Sequence, residues 1–287
     1  MRLADIVQGV QHLGIPVVNL NEAVNWYEEK LGFRRVQQKI VLNPNYMEMA
    51  ILVLGDIMLQ IYQPSGRERI EVAKRRDGIL DHFAIEAPDI EECAREALEK
   101  GMQVHSSTPD GIIHYTTLGE KGVKGINFAG PNQEVVEFCH DNSIGYGARK
   151  GLQGWAHLAL KVRDLERSRE FYGKLGFKEC GGGYLMTDDG RLEIAFMKNN
   201  GFMLEIIQMA GQGLLELDKR TSGHIDHIAL DVSDISDALF LAKKEGFRMI
   251  HYVVQTLPIL ERGIRFFKVM GPDGEIIEFA EKNYLTF

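Results

Sequence analysis

Cysteine is scarce and scattered in this chain. Its three copies, Cys93, Cys139 and Cys180, form no CxxC pair, which argues against a disulfide framework and a thiolate zinc site, and for a reducing compartment. Positive charge is in deficit: 33 Lys and Arg stand against 41 Asp and Glu, a net charge of −8. With no basic stripe to meet a phosphate backbone, no nucleic-acid partner is expected. The short basic runs at 67–69 and 74–76 are read as solvated faces. No uninterrupted apolar run reaches the roughly 18 residues of a membrane span, and MRLADIVQGV lacks a charged head followed by an apolar stretch. No membrane partner is therefore expected, and the chain is placed in the cytoplasm. Walker-type, GxSxG and GxGxxG motifs are also missing, which removes the usual signatures of nucleotide and serine-hydrolase chemistry; Gly181 to Gly183 reads as a turn before a strand.

What the sequence does contain is a duplication. At 287 residues and 45% apolar content it has room for two cores, and its two halves repeat each other. His12, Gln60 and His82 recur as His157, Glu205 and His227, each pair 145 residues apart, and Glu137 recurs as Glu278 at 141. A weaker repeat lies inside each half, so that QHLGIPVVNLNEAVNWYEEKLGF, DHFAIEAPDIEECAREALEKGMQV, AHLALKVRDLERSREFYGKLGF and DHIALDVSDISDALFLAKKEGFRM open four modules. Each opening run is β-like, then meets an Asn or Asp suited to N-capping, then shows helical spacing that stops at Gly32, Gly101, Gly176 or Gly246. Alternating segments such as YMEMAILVL and GFMLEIIQ follow, broken by turn signals that include Asn43-Pro44 and Gly-Pro-Asp-Gly. The expected unit is one strand, one helix and three strands, giving an α+β chain of four βαβββ modules. The glycine-rich run from His140 to Gly154 has no periodicity. It places a first domain at 1–143, a linker at 144–153 and a second domain at 154–287.

The repeated polar residues point to a site. The histidine that opens each module is followed two positions later, on the same strand face, by Gly14, Ala84, Ala159 or Ala229, all small. The Gln and Glu positions fall on strands that are apolar on both faces and so are buried on both. A carboxylate there is costly unless it is paired, protonated or bound to a cation. A divalent metal would satisfy His12, Gln60, His82 and Glu137 in the first half, more weakly because of the neutral amide, and His157, Glu205, His227 and Glu278 in the second. The spacing leaves open whether each half closes its own cleft or exchanges modules with the other. Trp26-Tyr27 and Phe171-Tyr172 are read as packing, and His114-Tyr115 and His251-Tyr252 as pocket candidates.

The module openings and the last-strand runs PNQEVVEF and PDGEIIEF resemble the vicinal oxygen chelate superfamily of glyoxalases, bleomycin resistance proteins and extradiol dioxygenases over essentially the whole chain. The resemblance implies two tandem glyoxalase-like open-barrel domains, each with a metal at the floor of a cleft. It implies a small-molecule substrate, with homodimerisation left open, and a nickel, cobalt, zinc or manganese ion. The chemistry implied is that of a lyase or isomerase acting through an enediolate, with Glu278 or Glu205 as the catalytic base. The second half resembles glyoxalase I and the first methylmalonyl-CoA epimerase. The alternatives are an extradiol dioxygenase using Fe(II) on His157, His227 and Glu278, and a protein that sequesters a small molecule.

Overall fold

The computed structural model describes residues 1–42, 46–220, 222–259 and 263–281; the Asn43-Pro44 turn signal and the end of the 154–287 region lie outside these. The first module comprises β1 (Val7–Pro16), α1 (Leu20–Trp26), β2 (Arg34–Leu42), β3 (Tyr46–Leu54) and β4 (Ile57–Pro64), and is followed by a short helix, α2 (Gly66–Val72). The second has β5 (Leu80–Glu86), α3 (Ile90–Glu99), the short β6 (Gln103–Val104) and β7 (Ile113–Tyr115), then β8 (Val123–Ala129) and β9 (Val135–Asp141). The third has β10 (Trp155–Val162), α4 (Leu165–Lys174), β11 (Lys178–Thr187), β12 (Gly190–Asn199) and β13 (Phe202–Gln208), followed by α5 (Gly211–Leu217). The fourth has β14 (His227–Val232), α6 (Ile235–Lys244), β15 (Arg248–Met249), β16 (Gln255–Leu257), β17 (Ile264–Met270) and β18 (Ile276–Glu281).

Helix starts and stops follow the sequence signals. Asn19, Asp89, Asp164 and Asp234 are the N-caps. The carboxylates of Asp164 and Asp234 accept from backbone N–H groups of the first turn. Gly32, Gly101, Gly176 and Gly246 all sit at positive φ just past the helices. The three-strand expectation holds for the first and third modules. In the second and fourth, the strand after the helix is replaced by two fragments of two and three residues. The stretch HSSTPDGIIHYTTLGEKG explains this in the second module, because its Pro and Gly residues and lack of alternation cannot sustain a ladder.

The strands assemble into two open nine-stranded sheets, and each sheet draws on both halves of the chain. One runs β15-β17-β18-β14-β1-β4-β3-β2, with β16 also paired to β17, joining the fourth module to the first; the other runs β11-β12-β13-β10-β5-β9-β8-β6, with β7 also paired to β8, joining the third to the second. Each seam is an antiparallel pair, β1 with β14 and β5 with β10. The sheets thus exchange modules between halves. Period-2 alternation divides the faces. Leu13, Phe83, Leu158 and Ile228, each next to a module-opening histidine, enter one continuous apolar core with the helices. The histidines themselves point to the opposite face.

A second set of contacts ties the sheets together. Tyr27, at the end of the first helix, donates its O–H to Glu134 at 2.5 Å, and Tyr172 donates to Glu275 at 2.8 Å. These tyrosines, expected only to pack, hold the first Glu of each PNQEVVEF and PDGEIIEF run, while the backbone N–H groups of Asn132 and Asp273 donate to the other carboxylate oxygen. Each bridge joins consecutive modules, whereas each seam joins modules of different halves.

Burial pushes the Glu134 and Glu275 carboxyls up from 4.5 to about 7, against the hydrogen bonds they accept. A carboxyl raised on folding is better protonated in the folded state, so its contribution is complete below the unfolded value and is lost as pH rises through about 7. Stability is therefore expected to fall between about pH 4.5 and about pH 7, by at most roughly 3 kcal/mol per group. Denaturant unfolding across this range should show a flatter profile for the double variant Glu134→Gln, Glu275→Gln than for the wild type.

Candidate metal centres

The seams decide which residues meet. Across β1 and β14, Gly14 faces His227 and Ala229 faces His12; across β5 and β10, Ala84 faces His157 and Ala159 faces His82. The small residue two positions past each histidine therefore makes room for the histidine of the partner module. On its other side the same small residue has a parallel neighbour: Gln60 beside Gly14, Glu278 beside Ala229, Glu137 beside Ala84 and Glu205 beside Ala159. Each small residue lies between one imidazole and one carboxylate or amide.

This register gathers His12, Gln60, His227 and Glu278 into a first centre, and His82, Glu137, His157 and Glu205 into a second. The grouping by halves expected from the sequence is corrected: all eight side chains are used, but His82 and Glu137 change places with His227 and Glu278. The reason is the seam pairing, since a 145-residue repeat serves either arrangement. The triad His157, His227 and Glu278 expected for a dioxygenase is likewise divided between the two sheets.

In the second centre, four buried side chains converge. Glu137 Oε2 lies 2.9 Å from His82 Nε2 and 3.4 Å from His157 Nε2; Glu205 Oε2 lies 3.7 and 3.4 Å from the same atoms, and the two Nε2 atoms are 3.3 Å apart. Ligands about 2.1 Å from one ion stand roughly 3.0 Å apart at right angles and roughly 3.4 Å apart at tetrahedral angles, close to most of these spacings, and the donor atoms of His82, His157 and Glu205 all lie within 4.8 Å of one another, as a shared divalent ion requires. Burial acts against charge on His82, yet the Asp81 and Glu137 carboxylates prevail and raise it to about 10. Glu137 is held near 2, because the His157 and His82 imidazoles outweigh its burial. Burial pushes Glu205 up.

Asp81 orients this centre. Its Oδ2 sits 3.0 Å from His82 Nδ1, while Lys161 and Arg220 hold Oδ1 at 2.7 and 3.4 Å. With Nδ1–H engaged, it is Nε2 of His82 that faces the centre, and an ion bound there would take the place of its proton. The arrangement repeats at the first centre, where Asp226 Oδ2 is 2.9 Å from His227 Nδ1 and Arg75 donates to Oδ1 at 2.8 Å. Arg75, expected on a solvated face, is in fact half-buried and committed to an Asp of the other half. The sequence carried this signal: Asp-His opens the second and fourth modules only, and Asp81 and Arg75 recur 145 residues later as Asp226 and Arg220.

A cavity of about 790 Å³ opens on the second centre, lined among others by Tyr115, Leu185, Phe196, Met203 and Ile207. Of the pocket candidates, Tyr115 faces this cavity and Tyr252 is exposed. In the first centre His227 Nε2 lies 3.5 Å from Glu278 Oε2, His12 Nε2 lies 3.7 Å from Glu278 Oε1, and Gln60 turns its amide nitrogen to Met49 Sδ at 3.1 Å. Burial brings His12 down to about 4, against the attraction of Glu278.

Residues 11–115 match the sequence profile of the Glyoxalase/Bleomycin resistance protein/Dioxygenase superfamily, and residues 154–279 match a second profile of the same description. The chain belongs to this superfamily. Among curated proteins it is 33% identical to Uncharacterized protein YwbC of Bacillus subtilis (strain 168) over 128 residues, 44% of this chain and 95% of that one. Among solved structures it is similar in fold to glyoxalase I from Zea mays (TM-score 0.66, 18% identity, 96% of this chain and 92% of that one). It is also similar to a putative dioxygenase from Bacillus subtilis (TM-score 0.60, 14% identity, 96% and 86%). At these identities the superfamily fold is shared. No helix among the described residues is long and apolar enough to cross a membrane.

The space above Gly14 is already taken: a Cβ there would collide with the His227 ring. Gly14→Ala is expected to displace that imidazole and lower stability by about 1–3 kcal/mol, read as a lower urea midpoint; an unchanged midpoint would show that the ring has other room.

Proposed function

We propose that the second centre is the active site of a metal-dependent lyase or isomerase, glyoxalase- or epimerase-like, acting through an enediolate on a small oxygenated substrate. The observation that carries this reading is the convergence of donor atoms from His82, His157 and Glu205, with Glu137 against both imidazoles, beside a cavity of about 790 Å³. Nickel, cobalt, zinc or manganese suits two imidazoles with two carboxylates. When bound, such an ion would supply Lewis-acid polarisation of two neighbouring substrate oxygens.

The chain's own residues do the remainder. Glu205 stands farther from His82 than Glu137 does, 3.7 against 2.9 Å, so it is the carboxylate better placed to loosen and accept the carbon-bound proton. Glu137, held between both imidazoles, anchors the centre. Glu278, the other sequence candidate for this base, belongs with His12. Phe196, Met203 and Ile207 form an apolar wall that limits water near the reacting carbon. Tyr115 packs close enough to Glu137 that a Cβ on Gly125 would touch both side chains.

Metal analysis of purified protein is expected to find about one ion per chain at this centre, lost in His157→Ala. Iron lost in the same variant would move the reading to oxygen chemistry. No ion after re-equilibration with each metal in turn would sink the enzyme reading and favour small-molecule sequestration. Asp81→Asn, which loosens the hold on His82 and also takes the anion from Lys161 and Arg220, is expected to weaken metal binding by about 10–100-fold; titration with a competing chelator reads this directly.

A further inference from the structure

The two centres share a scaffold and differ at two positions. Across the last hairpin of each sheet, Glu137 on β9 faces Asn127 on β8, and Glu278 on β18 faces Lys268 on β17. Asn127 and Lys268 are 141 residues apart, as are Glu137 and Glu278, so they are the same position in the two copies. Where the second centre has a neutral amide, turned to Ser107 Oγ at 2.7 Å, the first has an ammonium. Lys268 Nζ lies 3.5 Å from Glu278 Oε2, 3.2 Å from His227 Nδ1 and 3.8 Å from Asp226 Oδ2. The other difference is Gln60 in place of Glu205, which removes a carboxylate from the first centre.

Formal charge then separates the centres. The second offers two carboxylates from its four side chains, and Lys161 is spent on Asp81. Two negative charges match one divalent ion. The first centre has one carboxylate, Glu278, already faced by Lys268, so a divalent ion added there would stand uncompensated in a buried site. Like charges held close together in a buried site, where water screens them little, repel one another.

Packing acts in the same direction. Tyr62 lies two residues along its strand from Gln60, Phe266 two from Lys268 and Ala280 two from Glu278, and these share the ligand face of the sheet. With Met49, Ile259 and Ile264 they form a buried apolar cluster of their own. The Lys268 ammonium also lies 6.0 Å from the Phe266 ring centroid, where a cation is attracted to the ring face.

We propose that Lys268 is the resident cation of the first centre, its ammonium facing Glu278 where the second centre has only the Asn127 amide and so balancing the one carboxylate that a metal would need, so that the chain carries one metal-competent centre. The donor atoms of His12, His227 and Glu278 lie within 4.8 Å of one another, so it is charge and not spacing that sets this centre against a divalent ion while Lys268 is present. The identity of the metal-competent centre rests on the functional reading above; the role of Lys268 does not.

The test counts nickel(II) per chain after equilibration and removal of excess. The double variant Lys268→Asn, Gln60→Glu, which gives the first centre the composition of the second, is expected to hold about one more ion than the wild type. His12→Ala in the otherwise native chain is expected to leave the nickel count unchanged. In a His157→Ala background nickel should not raise Tm, and adding Lys268→Asn with Gln60→Glu should restore a nickel-dependent rise. Two ions in the wild type, loss of an ion in His12→Ala, or a folded double variant that holds no more nickel than the wild type would each overturn the proposal. A wild type without nickel, beside a double variant that gains one ion lost again on His12→Ala, would uphold Lys268 and remove the functional reading instead.

Discussion

Two antiparallel strand pairs, β1 with β14 and β5 with β10, are the constraint on which this structure depends. Each joins strands from different halves of the chain, and each has a register that sets a small residue opposite a histidine. Backbone hydrogen bonding fixes the spacing, and the two-residue period of the strand sends the histidines to one face and their apolar neighbours to the other. The same register brings a Glu or Gln alongside each small residue from the parallel strand next to it. A slip of one residue at either seam would turn the ligands into the apolar core and the core residues out.

Electrostatics then distinguishes what geometry made equivalent. Among the described residues of both centres, buried charge is met by a partner: Asp81 by Lys161 and Arg220, Asp226 by Arg75, and Glu278 by Lys268. The exception is the pair Glu137 and Glu205, for which only two imidazoles stand by. Two buried carboxylates sharing the same two imidazoles are costly unless a cation joins them, and this is the centre that faces the large cavity. The orienting aspartates add a further link, because each is held by an arginine contributed from the other half of the chain.

Much of this was legible in the sequence. The eight ligand-type side chains, the four modules, the helix caps at Asn19 and Asp164 and the stops at Gly32 and Gly176 all follow from spacing and residue type. The partnership of His12 with His227 and of His82 with His157 did not, because the 145-residue repeat leaves the same offsets whether modules pair within a half or between halves. Gly14, Ala84, Ala159 and Ala229 were visible as small neighbours, but which imidazole each accommodates is a property of the seam. Asp81, Asp226, Arg75 and Arg220 were hidden for another reason: charged residues near loops are usually solvated, and only their shared offset marked these as different. Lys268 was masked by alternation within IRFFKVM, where a charged residue reads as solvent-facing until its strand is known to be central.

The exchange of modules also orders the events of folding. The contacts that seal the β5–β10 seam join positions 73 residues apart, Ala84 to His157, whereas those of the β1–β14 seam join positions 213 residues apart, Gly14 to His227. Loop closure over the longer span costs about 1 kcal/mol more chain entropy. The inner seam is thus the cheaper of the two to close, and once closed it shortens the chain path between the outer modules. The scaffold of the centre beside the cavity can be complete before the outer seam has closed.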